Sequence, residues 1–164
     1  MFFVLATFIG IGAIAGAAQN ATDKSLFLVA RRELPDVLFK ESVILMLPST
    51  DTDLVVGLIV NKPTRVPLRD VFPKNPDLKD RPDTIYFGGP VDIHTPSVLF
   101  LSSKPAEQAV HLDGDLYISF NSDFIEETLV KPKEEMRDMR LFLGRSQWAP
   151  EQLQGEILRG AWYS

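Results

Sequence analysis

Eight short apolar runs, each bounded on at least one side by Pro, Gly, Asp or Ser, govern what this chain can fold into: Leu26–Ala30, Ser42–Leu47, Leu54–Val60, Thr84–Phe87, Val98–Leu101, Ala109–Leu112, Leu116–Phe120 and Met139–Leu143. Rich in Val, Ile, Leu and Phe, they read as strands of a mostly buried sheet, because branched and aromatic side chains pack well on a pleated surface. Asp113-Gly114 between two of them is expected to close a hairpin as a type I′ turn, which needs positive φ at both central positions. Helical signals are fewer. Pro67–Phe72 suits one or two turns with Pro67 in the first position, where its missing N–H costs nothing. Ser122 is expected to cap Asp123–Leu129, whose early carboxylates suit the positive end of the helix dipole. A last helix starts at Pro150 and stops at Gly160, with Leu153 and Ile157 four residues apart on one face. Eight strands, two or three helices and no regular β-α alternation predict an α+β domain with a mainly antiparallel sheet. No repeat or low-complexity tract divides it, and the proline-dense stretch Pro73 to Pro82 reads as a surface loop within the domain.

The N-terminus reads as an address. Every charged residue lies at or after Asp23, and from Met1 to Ala18 only Thr7 is polar. An uncharged apolar run ending in Ala15-Gly16-Ala17-Ala18 has the core and small-residue cleavage site of a secretory signal peptide, although no Lys or Arg precedes it. Two alternatives stand beside this reading: an uncleaved membrane anchor, weakened by Gly10, Gly12 and Gly16, or a translation start placed too far upstream. The organisation is then 1–18 leader, 19–25 polar linker and 26–164 domain, and the location periplasmic or exported, with a cytoplasmic or membrane-anchored domain under the alternatives. Gly10-Ile11-Gly12-Ala13-Ile14-Ala15 matches a dinucleotide fingerprint only in letters, because no amphipathic helix follows it.

Composition and missing motifs exclude much chemistry. With no cysteine among 164 residues, disulfide frameworks, zinc ribbons and thiol nucleophiles are ruled out. A net charge of -5 without a basic run lacks the footprint of phosphate-backbone binding. There is no phosphate-binding loop, nucleophile elbow or zinc-protease helix; Gly144-Arg145-Ser146-Gln147-Trp148 matches the elbow until its fifth residue. His94 and His111 are the only imidazoles, each two residues from a carboxylate, Asp92 and Asp113. On a strand such a pair shares one face and could serve a hydrolase or a metal-dependent enzyme, or be surface hairpin residues. Asn61-Lys62-Pro63 closes an apolar run where binding groups collect, or is a plain strand exit. Gly88-Gly89-Pro90 is a sharp turn or a close backbone approach to a ligand. Trp148 and Trp162 flank the last helix and are expected to pack in the core with their indole N–H groups satisfied.

Three stretches in order, Gly57–Pro63, Tyr86–Val91 and Leu143–Trp148 with Gln152, Leu153, Glu156, Ala161 and Trp162, resemble the AlgH/YqgE family of bacterial proteins. The stretch from Leu26 through Asp36 and Phe39 to Leu47 resembles the family's first hairpin. The resemblance implies a compact α+β domain with a bulged, largely antiparallel sheet. It implies a regulatory or binding module with no catalytic residue, metal or cofactor to carry across. Its shared surface motif maps to Asn61, Lys62, Pro63, Gly88, Gly89 and Pro90. Arg145 joins this candidate patch because it stands where the family usually has an aromatic residue. The expected partner is a protein or a small molecule, with nucleic acid disfavoured and membrane contact only through an uncleaved leader. The competing readings are the His94/Asp92 and His111/Asp113 enzyme and direct DNA binding.

Expressed in a bacterium with its own leader, the protein should be recovered outside the cytoplasm with a denatured mass short by the residues up to Ala17 or Ala18. A full-length chain in the cytoplasmic fraction would contradict export.

Overall fold

A computed structural model describes residues 27–48, 53–131 and 134–163. The expected leader, the linker and Leu26 lie outside the described residues. The strands are β1 (Phe27–Ala30), β2 (Val43–Met46), β3 (Val55–Ile59), β4 (Ile85–Phe87), β5 (Val91–Ser102), β6 (Val110–Asp113), β7 (Leu116–Ser119), β8 (Met136–Trp148) and β9 (Trp162–Tyr163). The helices are α1 (Leu68–Val71), α2 (Ser122–Val130) and α3 (Pro150–Leu158), with a 3-10 turn at Pro76–Leu78. The strands form one sheet in the order β6-β7-β5-β8-β3-β2-β1-β9, and β4 also pairs with β8. All pairs are antiparallel except β4 with β8, so the α+β expectation holds with one parallel exception.

Strand alternation divides the apolar side chains between two faces. On one face α2 covers the β5/β8 half, packing Phe124, Ile125 and Leu129 against Val98, Phe100 and Leu141. On the same face α3 covers the β1–β3 half, where Leu153 meets Leu28, Ile44 and Ile59. The opposite face carries Leu45, Leu58, Ile118 and Phe142, all almost fully buried. No described helix contributes to that cluster, and curling of the sheet buries it. Phe39 packs against Trp148 and Trp162 at ring separations of 5.8 Å each. Both indole N–H groups donate to one oxygen of Glu156, at 3.1 and 3.0 Å, as their core placement requires.

Several local expectations need correction. β5 and β8 reach well beyond Val98–Leu101 and Met139–Leu143, because their outer portions carry Asp92, His94, Arg137 and Asp138 on exposed faces and so hide in a hydrophobicity pattern. The hairpin loop is Gly114-Asp115, one residue later than expected. Only Gly114 has positive φ (52°), so the second positive φ that a I′ turn needs is missing, and a bulge between His111 and Asp113 absorbs the shift. Asn121, not Ser122, caps α2, its side chain accepting from the Phe124 N–H at 2.9 Å. Pro67 occupies the cap position of α1 rather than its first turn. The Pro73–Pro82 stretch is more than a surface loop, since its 3-10 turn drives Leu78 to complete burial in the β5/β8 core.

The tightest point of the fold is where the β4–β5 turn lies across β8. A Cβ on Gly88 would stand 2.3 Å from the Gly144 carbonyl oxygen, and one on Gly144 would stand 2.3 Å from that of Gly89. Gly144 also has φ of 73°. Gly114 is left-handed too, but nothing lies within 4 Å of a Cβ placed there. Gly144→Ala should therefore destabilise by roughly 2–4 kcal/mol, combining backbone strain with forced separation of two strands. Gly114→Ala should cost only about 1 kcal/mol. Urea unfolding of the two variants checks this, and equal losses would contradict the crossing.

Candidate functional site

The expected patch residues lie far apart in sequence and meet around β4. Beyond β3 the chain runs alongside β4: the Phe87 N–H donates to the Lys62 carbonyl (2.7 Å), Pro63 bridges Tyr86, and the Thr64 N–H donates to the Ile85 carbonyl (2.7 Å). At the next step the Ile59 N–H donates to the Gly88 carbonyl and the Gly88 N–H to the Leu143 carbonyl, each at 2.8 Å. β4 is thus laced to β8 on one side and to the 62–64 segment on the other. Arg145 joins from β8, where its neighbour Gly144 receives the glycine turn.

Each polar group of the patch has an internal task. The Asn61 side-chain oxygen accepts from the Val43 N–H and its amide donates to the Glu41 carbonyl, both at 2.9 Å. It thereby holds the entry of β2, where Glu41 adopts a left-handed φ of 59°. The Lys62 ammonium donates to the Leu38 carbonyl at 2.5 Å. Burial pulls its pKa below the usual lysine range, with Asp36 and Glu41 acting in the opposite direction. Arg145 ion-pairs with Asp92 at 2.6 Å and donates to the Gln147 side chain at 3.3 Å. Gly88 and Gly89 are buried at the crossing, while Pro63 and Pro90 are exposed.

The histidines do not form the constellation an enzyme needs. Asp92, the intended partner of His94, is taken by Arg145. Its left-handed φ of 48° places it in the irregular stretch between Val91 and Pro96, where β5 loses register with β8. His111 contacts the Gly114 carbonyl at 2.8 Å and the Tyr117 ring at 5.0 Å. Among the described residues no three His, Cys, Asp or Glu side chains are grouped to hold a metal. Ser146 is fully buried and its hydroxyl faces the Gly88 carbonyl at 3.3 Å, which removes it as a nucleophile.

A concavity that sequence reasoning missed lies at the other end of β4. It is a cleft of about 300 Å³ with Leu129, Met139 and Leu141 as its apolar surface and Arg81, Thr128 and Arg140 among its polar groups. Arg81 forms a fork with Asp83 (2.8 and 3.0 Å) and also donates to the Leu129 carbonyl. That fork raises the Arg81 pKa and keeps it charged. Arg140 lies 4.9 Å over the Tyr86 ring and donates to the Val60 carbonyl at 3.2 Å. Thr128 is the one sequence signal that could have pointed here, a hydroxyl four residues from Phe124 on the apolar stripe of a helix.

Comparison with known proteins agrees with the resemblance seen in the motifs. The AlgH-like family model (DUF179) matches residues 27–164. A UPF0301 protein of a Polaromonas species is 30% identical over 159 residues, covering 87% of this chain and 79% of that protein. The solution structure of the AlgH protein from Pseudomonas aeruginosa aligns with 84% of this chain and 73% of its own, with a TM-score of 0.67 at 24% identity. The crystal structure of protein DIP2367 from Corynebacterium diphtheriae covers 84% of this chain and 72% of its own, with a TM-score of 0.66 at 25% identity. These names state no reaction and no ligand. On motifs, fold and family match alike, the chain belongs to the AlgH-like family.

Proposed function

We propose that this domain is a regulatory or binding module, and that the strand-exit patch around Asn61-Lys62-Pro63 and Gly88-Gly89-Pro90 presents its recognition surface to a protein partner. The observation that carries this reading is a pinned apolar projection beside the patch. Asp36 accepts from the Leu38 and Phe39 N–H groups at 2.8 and 3.2 Å, and Lys62 holds the Leu38 carbonyl. Val37 (85% exposed) and Leu38 (47% exposed) are therefore held out to solvent by a braced loop. Apolar side chains presented on a rigid support suit protein docking, because little conformational freedom is lost on binding. A net charge of -5 disfavours duplex DNA as the partner. Export through the apolar leader would place this docking outside the cytoplasm.

A photo-reactive side chain substituted at Val37 or Pro63 in the native host should give one discrete covalent adduct. Lys62→Ala should weaken the Val37 adduct by freeing the loop. The same group at Leu158, exposed on α3, should give none. Equal adducts at all three positions, or none at Val37 and Pro63, would contradict the docking surface. Hydrolysis of esters or phosphodiesters that disappears in His94→Ala and His111→Ala would install the enzyme reading instead.

A further inference from the structure

We infer that the helix-free face of the sheet is a seat for an acidic amphipathic helix supplied by another protein. This goes beyond the docking loop at Val37 and Leu38 and concerns different side chains. Both α2 and α3 pack on one face of the sheet. The other face keeps an apolar row that no described helix covers. Val29 stands directly across from Tyr163 on one side and from Val43 on the other. The Val60 N–H donates to the Val43 carbonyl, which sets Val60 next in the row. Phe27, two residues before Val29, shares its face. Phe27, Val29 and Tyr163 are 43%, 41% and 54% exposed, and Val43 and Val60 are half-buried.

A cation stands at each end of this row. The Arg31 guanidinium lies 4.2 Å over the Tyr163 ring. Arg140, on the same face as Phe142 and opposite Leu141, lies 4.9 Å over the Tyr86 ring and reaches the Val60 carbonyl. Among the described residues no carboxylate lies within ion-pair distance of either arginine, and the Arg31 Nε is buried without a hydrogen-bond partner. Stacking on a ring holds a guanidinium in place without neutralising it. The face thus offers an apolar strip with a fixed, uncompensated positive charge at both ends.

Shape and charge select the occupant. Leu45 of β2 and Ile118 of β7 share one cluster although β3, β8 and β5 lie between those strands, so the sheet curls toward this face and makes it concave. A concave strip suits a cylinder about 10 Å across better than a flat bilayer. A second copy laid on the same face would bring two more arginines and no carboxylate to pair them. Four strands at a spacing of about 4.8 Å give the row a length near 15 Å, or about ten helical residues. The complementary helix therefore carries apolar side chains three and four residues apart, with a carboxylate at each end of that stripe.

The test uses a synthetic helical peptide of about 16 residues with a leucine stripe and two glutamates about eleven residues apart, and the same peptide with lysine in both places. Titrated against the full chain by fluorescence anisotropy, the glutamate peptide should bind saturably below about 100 μM, and the lysine peptide about tenfold more weakly or less. Val29→Asp, at an exposed position, should weaken the glutamate peptide by about tenfold or more. Arg31→Glu combined with Arg140→Glu should reverse the preference in favour of the lysine peptide, which a loss of stability alone does not produce. If that double variant does not fold, Val29→Asp decides. No saturable binding of the glutamate peptide, unchanged affinity in Val29→Asp, or no reversal in a folded double variant would overturn the assignment. So would cosedimentation with phosphatidylglycerol vesicles that Val29→Asp abolishes while the peptide does not bind, since the face would then meet lipid. Lys62→Ala should leave peptide affinity unchanged, so failure of the docking loop and failure of this face are read separately.

Discussion

The fold depends on one backbone crossing. Where Gly88 and Gly89 turn from β4 into β5, they lie against Gly144 and Arg145 of β8 at a distance that leaves no room for a Cβ. The crossing lets a three-residue strand, Ile85–Phe87, sit between the long β8 and the chain leaving β3. A strand so short would be marginal alone. Here its backbone groups are satisfied on both sides, by Leu143 through Gly88 and by Lys62 through Phe87. β8 meanwhile shifts partners, from β5 and β4 along its middle to β3 at its end. The two half-sheets, each with its own helix, are joined by this shift, and the curl between them buries Leu58 and Phe142.

The same wedge lies between the strand-exit patch and the cleft. At one end of β4 the glycine turn and the Asn61-Lys62 exit brace the loop carrying Val37 and Leu38. At the other, Tyr86 and Thr84 meet Arg81 and Thr128 around the cleft. The connection between them is rigid: Arg140 lies over the Tyr86 ring and donates to the Val60 carbonyl, one residue before Asn61. Internal bonding therefore explains the ordered motifs better than direct catalysis does. Asn61, Gly88 and Gly144 build a support, and exposed neighbours with fewer backbone duties are free to meet a partner.

Much of this was legible in the chain because local rules and tertiary packing agree there. The breaker-bounded runs around Ile44, Leu58 and Ile118 are strands, Pro150 opens the last helix, and both buried tryptophans donate to the half-buried Glu156. The patch motifs meet around β4 through backbone bonds. What escaped did so for physical reasons. Outer β8 at Met136 and Arg137 is held by its pairing with Ser102 and Leu101, which leaves no mark on side-chain hydrophobicity, and outer β5 carries the exposed Asp92 and His94 through a register shift. Asn61 looked like a turn former or a binding amide, and its actual task, clamping the left-handed turn at Glu41, depends on a contact across two strands. The cleft draws on Arg81, Thr128 and Arg140, which share no spacing, and Thr128 alone carries a sequence mark, its place on the apolar stripe of α2.

The central claim, that the β4 wedge locks the two half-sheets into one cooperative unit, is tested most directly by native-state hydrogen exchange. The Ile59, Phe87 and Gly88 amides, bonded to Gly88, Lys62 and Leu143, should exchange only through global unfolding. Their free energy of opening should then equal that of core amides in β8 such as Phe142. Exchange of these three amides through local opening, well below the global free energy, would contradict the account and leave β4 a strand resting on the sheet rather than holding it together.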